Sequence, residues 1–133
     1  MSGWGVIPSI RVEDLAAALE FYVGRLGFTT ENDPGEPNVS LVRGDARLML
    51  ETAADFYGDE YNAAIRGRLG SASPNALYME AEDVEALHHR LLDAGVPIID
   101  PLADRPWGQA EFTVADPSGN WLTFWKKRSP AAG

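Results

Sequence analysis

Tryptophan side chains at three positions are the strongest sign of a binding function in this sequence. Trp121 and Trp125 lie four residues apart in a strand-like run, so both side chains are expected on the same face of a sheet. Trp107 precedes Gly108, where a glycine lets the backbone approach a ligand closely. Flat aromatic faces stack on rings and attract organic cations. The alternative is packing, across a turn for Trp107 and inside a cavity or subunit interface for the other two.

Charge and further contacts have their own candidates. Glu51 ends an alternating run and is the best-placed carboxylate to balance a cationic ligand. Its alternatives are a salt bridge with Arg47 on the same face and plain exposure to solvent. Tyr57 and Tyr61 lie in a segment that we expect either to overhang a cleft or to be anchored by these rings. Strand periodicity places Thr123 on the face of the two strand tryptophans.

Covalent and metal chemistry find little support in the residue types. The sequence has no cysteine, which excludes disulfides, thiolate metal sites and a cysteine nucleophile. His88 and His89 are adjacent on a predicted helix, where neighbouring side chains point about 100° apart and cannot chelate one metal ion. No obvious base lies near the serines at positions 9, 40, 71, 73 and 118. We therefore expect neither a metal nor another cofactor.

Composition and charge limit the partners. The formal net charge is −9, from 20 acidic and 11 basic residues, so nucleic acid is not an expected partner. No apolar run approaches the roughly 20 residues of a membrane span. The N-terminus lacks the basic and long apolar segments of a signal peptide. The sequence therefore predicts a cytoplasmic protein without a membrane partner.

An internal repeat organises the chain. Glutamate, aspartate and an aliphatic residue follow one another twice, and in each copy the aspartate, Asp14 or Asp83, is placed to cap a helix. A glycine, Gly27 or Gly95, is placed to end each helix in a positive-φ conformation. The 133 residues, 45% of them apolar, are expected to form one domain, 1–133.

Strand-like runs complete two copies of one βαβββ module, 5–52 and 74–127. A connecting segment, 53–73, contains a helical stretch at 59–69, and 128–133 is a tail. The sequence predicts an α+β fold in which two modules with pseudo-twofold symmetry form a curved, partly open eight-stranded sheet or barrel around a cavity. The predicted strands are Gly5–Val12, Phe28–Glu31, Asn38–Val42 and Arg47–Thr52 in the first module, and Asn75–Ala81, Val96–Ile99, Ala110–Ala115 and Asn120–Lys126 in the second.

Three strings carry a resemblance to a known superfamily: 12–15, the aromatic string 21–28, and the Asp-Pro-Ser-Gly-Asn turn 116–120. Over about residues 6–127 the chain resembles the vicinal oxygen chelate superfamily, which includes glyoxalase I, bleomycin-resistance proteins, extradiol dioxygenases and fosfomycin-resistance enzymes. The tetrapeptide Arg-Pro-Trp-Gly at 105–108 is similar to the bleomycin-resistance branch in particular.

The resemblance implies four metal-ligand positions on the inner faces of the first, fourth, fifth and eighth strands. These fall on Ile7, on Met49 or Glu51, on Ala76, and on Thr123. At most one of them is a charged oxygen ligand, whereas a bound metal needs three or four protein ligands. The usual metal-dependent enzymes of the superfamily are therefore not expected.

The resemblance also implies a homodimer whose N-terminal strands are exchanged between subunits. Pro8 lies in the first predicted strand, and proline cannot donate a hydrogen bond to a ladder, so it fits such an arm. The alternative is an ordinary edge strand.

These observations predict a metal-free protein that sequesters a cationic or aromatic compound, such as an antibiotic. Two alternatives stay open: a metal-dependent lyase or dioxygenase of the same superfamily, and a structural or regulatory dimer with a filled cavity. The predicted ligand-binding residues are Trp107, Gly108, Trp121, Thr123, Trp125, Glu51, Tyr57 and Tyr61.

Overall fold

The structure, a computed structural model, describes residues 6–52, 58–68 and 76–128. The chain divides into two units, 1–71 and 72–133, and this division falls within the predicted connecting segment. The first unit contains β1 (Ser9–Arg11), α1 (Leu15–Leu19) continued by a π-helical segment (Glu20–Arg25), β2 (Thr29–Thr30), β3 (Asn38–Arg43), β4 (Ala46–Glu51) and α2 (Asp59–Arg68). The second contains β5 (Ala76–Glu80), α3 (Val84–Asp93), β6 (Ile98–Arg105), β7 (Gln109–Ala115) and β8 (Trp121–Lys127).

Each unit has a four-stranded mixed sheet with the same topology. The strand orders are β1-β4-β3-β2 and β5-β8-β7-β6, and neither sheet is closed. In each sheet the first strand pairs in parallel with the last, while the other pairs are antiparallel. The α+β class and the repeated βαβββ module are confirmed. No helix in the described ranges has the length and apolar character needed to cross a membrane.

The helices begin and end at the residues that the repeat predicted. The Asp14 carboxylate accepts a hydrogen bond from the Ala17 N–H at 3.1 Å, and Asp83 accepts one from the Ala86 N–H at 3.0 Å. Such caps satisfy donors that the first helical turn leaves without a partner. The glycines that follow the helices, at 27 and 95, have φ angles of 84° and 78°.

One face of each sheet is apolar and packs against a helix. Alternate strand residues on this face are buried, as the period of two requires. In the second unit α3 packs against β6, β7 and β8, and its buried residues are Val84, Leu87 and Leu91. The opposite face carries mostly polar side chains in the first unit, and polar and aromatic side chains in the second. The buried strand residues include Val39, Leu41, Leu48 and Leu50 in the first unit, and Phe112, Val114, Leu122 and Phe124 in the second.

Two strand predictions missed an end of the strand by several residues. The first strand begins at Ser9, so Pro8 precedes the strand; its carbonyl accepts a hydrogen bond from the Met49 N–H at 2.9 Å. The sixth strand was predicted to end at Ile99, yet β6 continues to Arg105. Pro101 marks a break in the sequence pattern, but β6 is an edge strand whose register shifts around this proline absorb the irregularity.

Candidate functional site

Strand alternation in β8 divides its side chains between the two faces of the sheet. Leu122 and Phe124 are buried on the face that α3 covers. Trp121, Thr123 and Trp125 lie on the opposite face, where Thr123 is buried and the two tryptophans are half-buried. The three predicted residues on this strand therefore share one face.

The cross-strand register shows which residues join them on this face. Directly opposite residues in a ladder point the same way, so each row across the sheet belongs to one face. Two adjacent rows form the centre of the site: Tyr78, Thr123 and Thr113 in one, and Glu80, Trp125 and Glu111 in the next.

Tyr78, Gln109, Glu111 and Trp125 form what we call the carboxylate–aromatic cluster. The rings of Tyr78 and Trp125 are stacked, with centroids 6.1 Å apart and planes inclined by 21°. The Tyr78 hydroxyl donates a hydrogen bond to Glu111 Oε2. Gln109 Nε2 donates to the same oxygen at 2.9 Å and to the Tyr78 hydroxyl oxygen at 2.7 Å. The cluster thus fixes an aromatic pair beside a carboxylate.

The Glu111 carboxylate is buried but only partly neutralised. The residue is 8% exposed, and burial raises the pKa of its carboxyl above the usual range. Its second oxygen, Oε1, lies 3.9 Å from Arg105 Nε, which is beyond hydrogen-bonding distance. Tyr78 is 54% exposed, so the cluster is open on the side of its tyrosine. Such a carboxylate favours an additional positive charge nearby.

Hydroxyl groups line the neighbouring row. The Thr113 and Thr123 hydroxyls are hydrogen-bonded to each other at 2.7 Å, so both side chains have a polar partner on this face. Trp121 lies opposite Ala115, beyond this row, and a small residue there leaves the indole without a bulky cross-strand neighbour. The charged groups therefore lie at the Trp125 end of this face, and the Trp121 end carries an indole between two alanines.

Trp107 and Gly108 lie in the three-residue turn between β6 and β7. The Gly108 N–H donates to the Arg105 carbonyl at 3.1 Å, and Gly108 has a φ of 88°. No atom lies within 4 Å of a Cβ built on Gly108, so the turn conformation, not close packing, accounts for the glycine in this structure. Trp107 is 63% exposed, so no close packing across the turn occupies its ring.

The corresponding face of the first unit holds a different group, which we call the arginine–carboxylate cluster: Ser9, Arg11, Asn38 and Glu51. The Arg11 guanidinium forms an ion pair with the Glu51 carboxylate. Ser9 Oγ donates to Glu51 Oε2 at 2.8 Å, and Asn38 Nδ2 donates to Oε1 at 2.6 Å. The predicted charge residue Glu51 thus has its own cation and hydrogen bonds to both oxygens.

The salt-bridge partner proposed for Glu51 was wrong. Arg11 lies directly opposite Glu51 in the parallel β1–β4 ladder, whereas Arg47 pairs with Glu31 at 2.7 Å. The two arginines cannot be told apart by facing alone, because Arg47 also shares the face of Glu51. The decisive contact depends on which strands are neighbours.

The residues at the implied metal-ligand positions do not fit a metal ion. Ile7 and Ala76 offer no donor atom, and the Thr123 hydroxyl is bonded to Thr113. Glu51, the one carboxylate in the set, already binds the Arg11 guanidinium. Across the described part of the chain, no group of three or more His, Asp or Glu side chains could hold a metal ion.

Sequence reasoning missed most of the carboxylate–aromatic cluster. It did not select Tyr78, Gln109 or Glu111. A signal for Glu111 was available, because the short turn between β7 and β8 sets the register that places Glu111 opposite Trp125. Of the two tyrosines that it did select, Tyr57 lies outside the described residues, and Tyr61 lies in α2 with its side chain outside them.

Comparisons with known proteins agree with this architecture. A family model described as the Glyoxalase/Bleomycin resistance protein/Dioxygenase superfamily matches residues 6–124. An uncharacterised protein of Mycobacterium tuberculosis is 28% identical over 119 residues, which cover 85% of this chain and 68% of that protein. A bleomycin resistance protein of Geobacillus stearothermophilus is 25% identical over 128 residues, or 91% of this chain and 95% of the relative. The crystal structure of UcmS2 has a TM-score of 0.75 and 25% identity, covering 94% of this chain and 98% of that one.

Proposed function

Because the chain belongs to the Glyoxalase/Bleomycin resistance protein/Dioxygenase superfamily, we propose that it is a binding member which sequesters a small aromatic cation without a metal ion. The observation that carries this proposal is the carboxylate–aromatic cluster. It combines a stacked Tyr78–Trp125 pair with a buried Glu111 carboxylate whose Oε1 atom lies 3.9 Å from Arg105 Nε, beyond hydrogen-bonding distance. Similarity to bleomycin resistance proteins supports a ligand-binding role.

Each part of the cluster has a stated role in this proposal. The exposed Tyr78 ring and the Trp125 indole offer flat surfaces to an aromatic group. Glu111 Oε1 accepts a charge-assisted hydrogen bond from the ligand, while Tyr78 and Gln109 hold the other oxygen in place. Trp107, on its turn, adds a third aromatic surface. No bond in the ligand is broken.

A metal-dependent lyase or dioxygenase is disfavoured by the donor set. Catalytic metal sites need about three protein ligands with an open position. Here the implied positions supply one carboxylate, and an arginine neutralises it. The chemistry available to this chain is therefore binding through stacking, hydrogen bonds and charge.

We test the proposal by titrating the protein with bleomycin and with aromatic amines, using tryptophan fluorescence and the rise in Tm. Trp125→Leu is expected to weaken a bound aromatic cation about tenfold, since a desolvated cation–π contact contributes about 1–2 kcal/mol. Glu111→Gln is expected to weaken cations by about tenfold or more and to spare neutral ligands.

The matched control is Glu31→Gln, which removes an acid of the first unit that pairs with Arg47. It is expected to leave affinity unchanged. The proposal fails if Trp125→Leu and Glu111→Gln bind every ligand as tightly as the wild type while their Tm falls, because the residues would then serve packing alone.

We also propose that the protein is a homodimer. The support is the short edge strand β1, which is three residues long and preceded by Pro8; among the described residues of its sheet no strand pairs with its outer edge. An exposed edge invites pairing with a second chain. Sedimentation at micromolar concentration is expected to give twice the 14.5 kDa chain mass, and a species of the chain mass would contradict the dimer.

A further inference from the structure

Arg105 lies between two carboxylates on the site face of the second unit. Its Nη2 atom is 2.5 Å from Asp100 Oδ2, whereas its Nε atom is 3.9 Å from Glu111 Oε1. Arg105 therefore forms a close ion pair with the exposed Asp100 and lies farther from the buried Glu111. The Arg105 side chain is itself partly exposed, so it has room to change partner.

A β-bulge makes the Asp100–Arg105 contact possible. The two residues are five positions apart on β6, and in a regular strand an odd separation puts side chains on opposite faces. The register shifts between Asp100 and Ala103, so that Asp100 faces Thr113 and Arg105 faces Gln109. Both partners lie on the same face of β7. The extra residue thus brings Asp100 to the face that carries Glu111.

We propose that Arg105 sets the charge specificity of this site as an internal counter-ion of Glu111. In the protein without ligand, Asp100 draws Arg105 away from Glu111, and in the complex a cationic group of the ligand takes the place of Arg105 beside Glu111. The inference rests on the proposed function, which it deepens. Glu111 Oε1 is then available to a cation, and the Arg105 guanidinium competes with that cation for the same carboxylate, whereas a neutral compound gains nothing from the charge of Glu111. An amidinium or guanidinium group on a flat ring has the chemistry to take this place.

Benzamidine and benzamide are the probes, since they share one shape and differ in charge. Binding is followed by NMR of the tryptophan indole N–H signals at neutral pH. Wild-type protein is expected to prefer benzamidine. Arg105→Gln is expected to raise benzamidine affinity about fivefold, the size that a partly exposed ion pair contributes, and to leave benzamide affinity unchanged.

Asp100→Asn provides the opposite test. Without its carboxylate, Arg105 turns to Glu111, so benzamidine affinity is expected to fall about threefold to fivefold. Asp100 affects the site through its ion pair with Arg105, so Asp100→Asn is expected to have no further effect once Arg105 is replaced. The double variant is therefore expected to bind benzamidine as tightly as Arg105→Gln alone does. A merely structural role for either residue would lower affinity in both single variants. Arg47→Gln, which makes the same charge change in the first unit, is the control and is expected to change neither affinity.

The outcomes separate the two proposals. Unchanged or lower benzamidine affinity in Arg105→Gln, with the preference for benzamidine retained, overturns the counter-ion role alone. Equal affinities for both probes in the wild type and in Glu111→Gln overturn the proposed function and the counter-ion role together. If Arg105→Gln fails to fold, Asp100→Asn decides the question, because unchanged benzamidine affinity in that variant overturns the role of Arg105.

Discussion

The two units build the same sheet and use its polar face differently. In the first unit the cross-strand row that contains Glu51 also contains Arg11 and Asn38, and both of these side chains bind the Glu51 carboxylate. In the second unit the row that contains Glu111 also contains Trp125, and the Arg105 Nε atom is 3.9 Å from Glu111 Oε1. One acid therefore has a close ion pair within its own sheet, whereas the other has an arginine only at a longer distance.

The difference shows how a repeated module can divide its tasks. A buried ion pair such as that of Arg11 and Glu51 links neighbouring strands, and removing either charge leaves the other uncompensated. A buried acid without a close cation costs stability but offers a site for binding. The repeat supplies both arrangements on one backbone, and the side chains of a single row decide which arrangement each unit has.

The largest expected effect is in the first unit. Arg11→Met removes the cation of a pair whose side chains are 13% and 9% exposed, and the free energy of unfolding is expected to fall by about 3 kcal/mol. Urea unfolding at pH 7 measures the change. Arg47→Met, which breaks the more exposed Arg47–Glu31 pair, is the control and is expected to cost less than about 1 kcal/mol.

A double variant sharpens this prediction. Replacing both Arg11 and Glu51 by methionine removes the two charges together, so part of the lost stability is expected to return, although Ser9 and Asn38 lose their acceptor. Equal losses of unfolding free energy in Arg11→Met and Arg47→Met would contradict the comparison. The buried Arg11–Glu51 pair would then contribute no more to stability than the exposed Arg47–Glu31 pair does.

The fold could be predicted because its helix starts depend on residues that are close in the sequence. Much of the site could not be predicted, because its contacts depend on which strands pair across the sheet. Asp14 and Asp83 act within one helical turn, so the sequence near them contains the whole signal for a helix start. The contact between Arg11 and Glu51 depends on a parallel pairing of strands that are far apart in the chain. A sequence pattern gives the face of each residue but not its neighbour across the sheet.

The sixth strand shows a second limit. Pro101 breaks the apolar pattern, and a proline in a strand-like run indicates a turn unless the strand is an edge with a bulge. Here the bulge also moves Asp100 to the face of Arg105, so the missed part of the strand carries one partner of the proposed counter-ion. The irregular backbone that made the strand hard to predict is the feature that shapes the site.

The smallest expected effect is a change in the pH dependence of stability caused by Glu111. Burial raises the pKa of this carboxyl in the folded state above its ordinary value of 4.5, so the folded protein holds this proton more tightly than the unfolded chain does. Stability from this group is therefore fully present below pH 4.5 and is lost as the pH rises through the folded-state pKa. Glu111→Gln removes that loss while keeping a side chain that can accept the Tyr78 hydrogen bond.

The free energy of unfolding of Glu111→Gln, relative to wild type, is accordingly expected to increase as the pH rises from 4.5 and to become constant at higher pH. Urea unfolding of both proteins at several pH values from 4.5 upwards measures this difference in the free energy of unfolding. Glu31→Gln, at the exposed pair with Arg47, is the reference for an acid in the first unit whose charge is matched. A relative stability of Glu111→Gln that decreases with rising pH would mean that a cation already balances Glu111, and the contrast between the two units would then disappear.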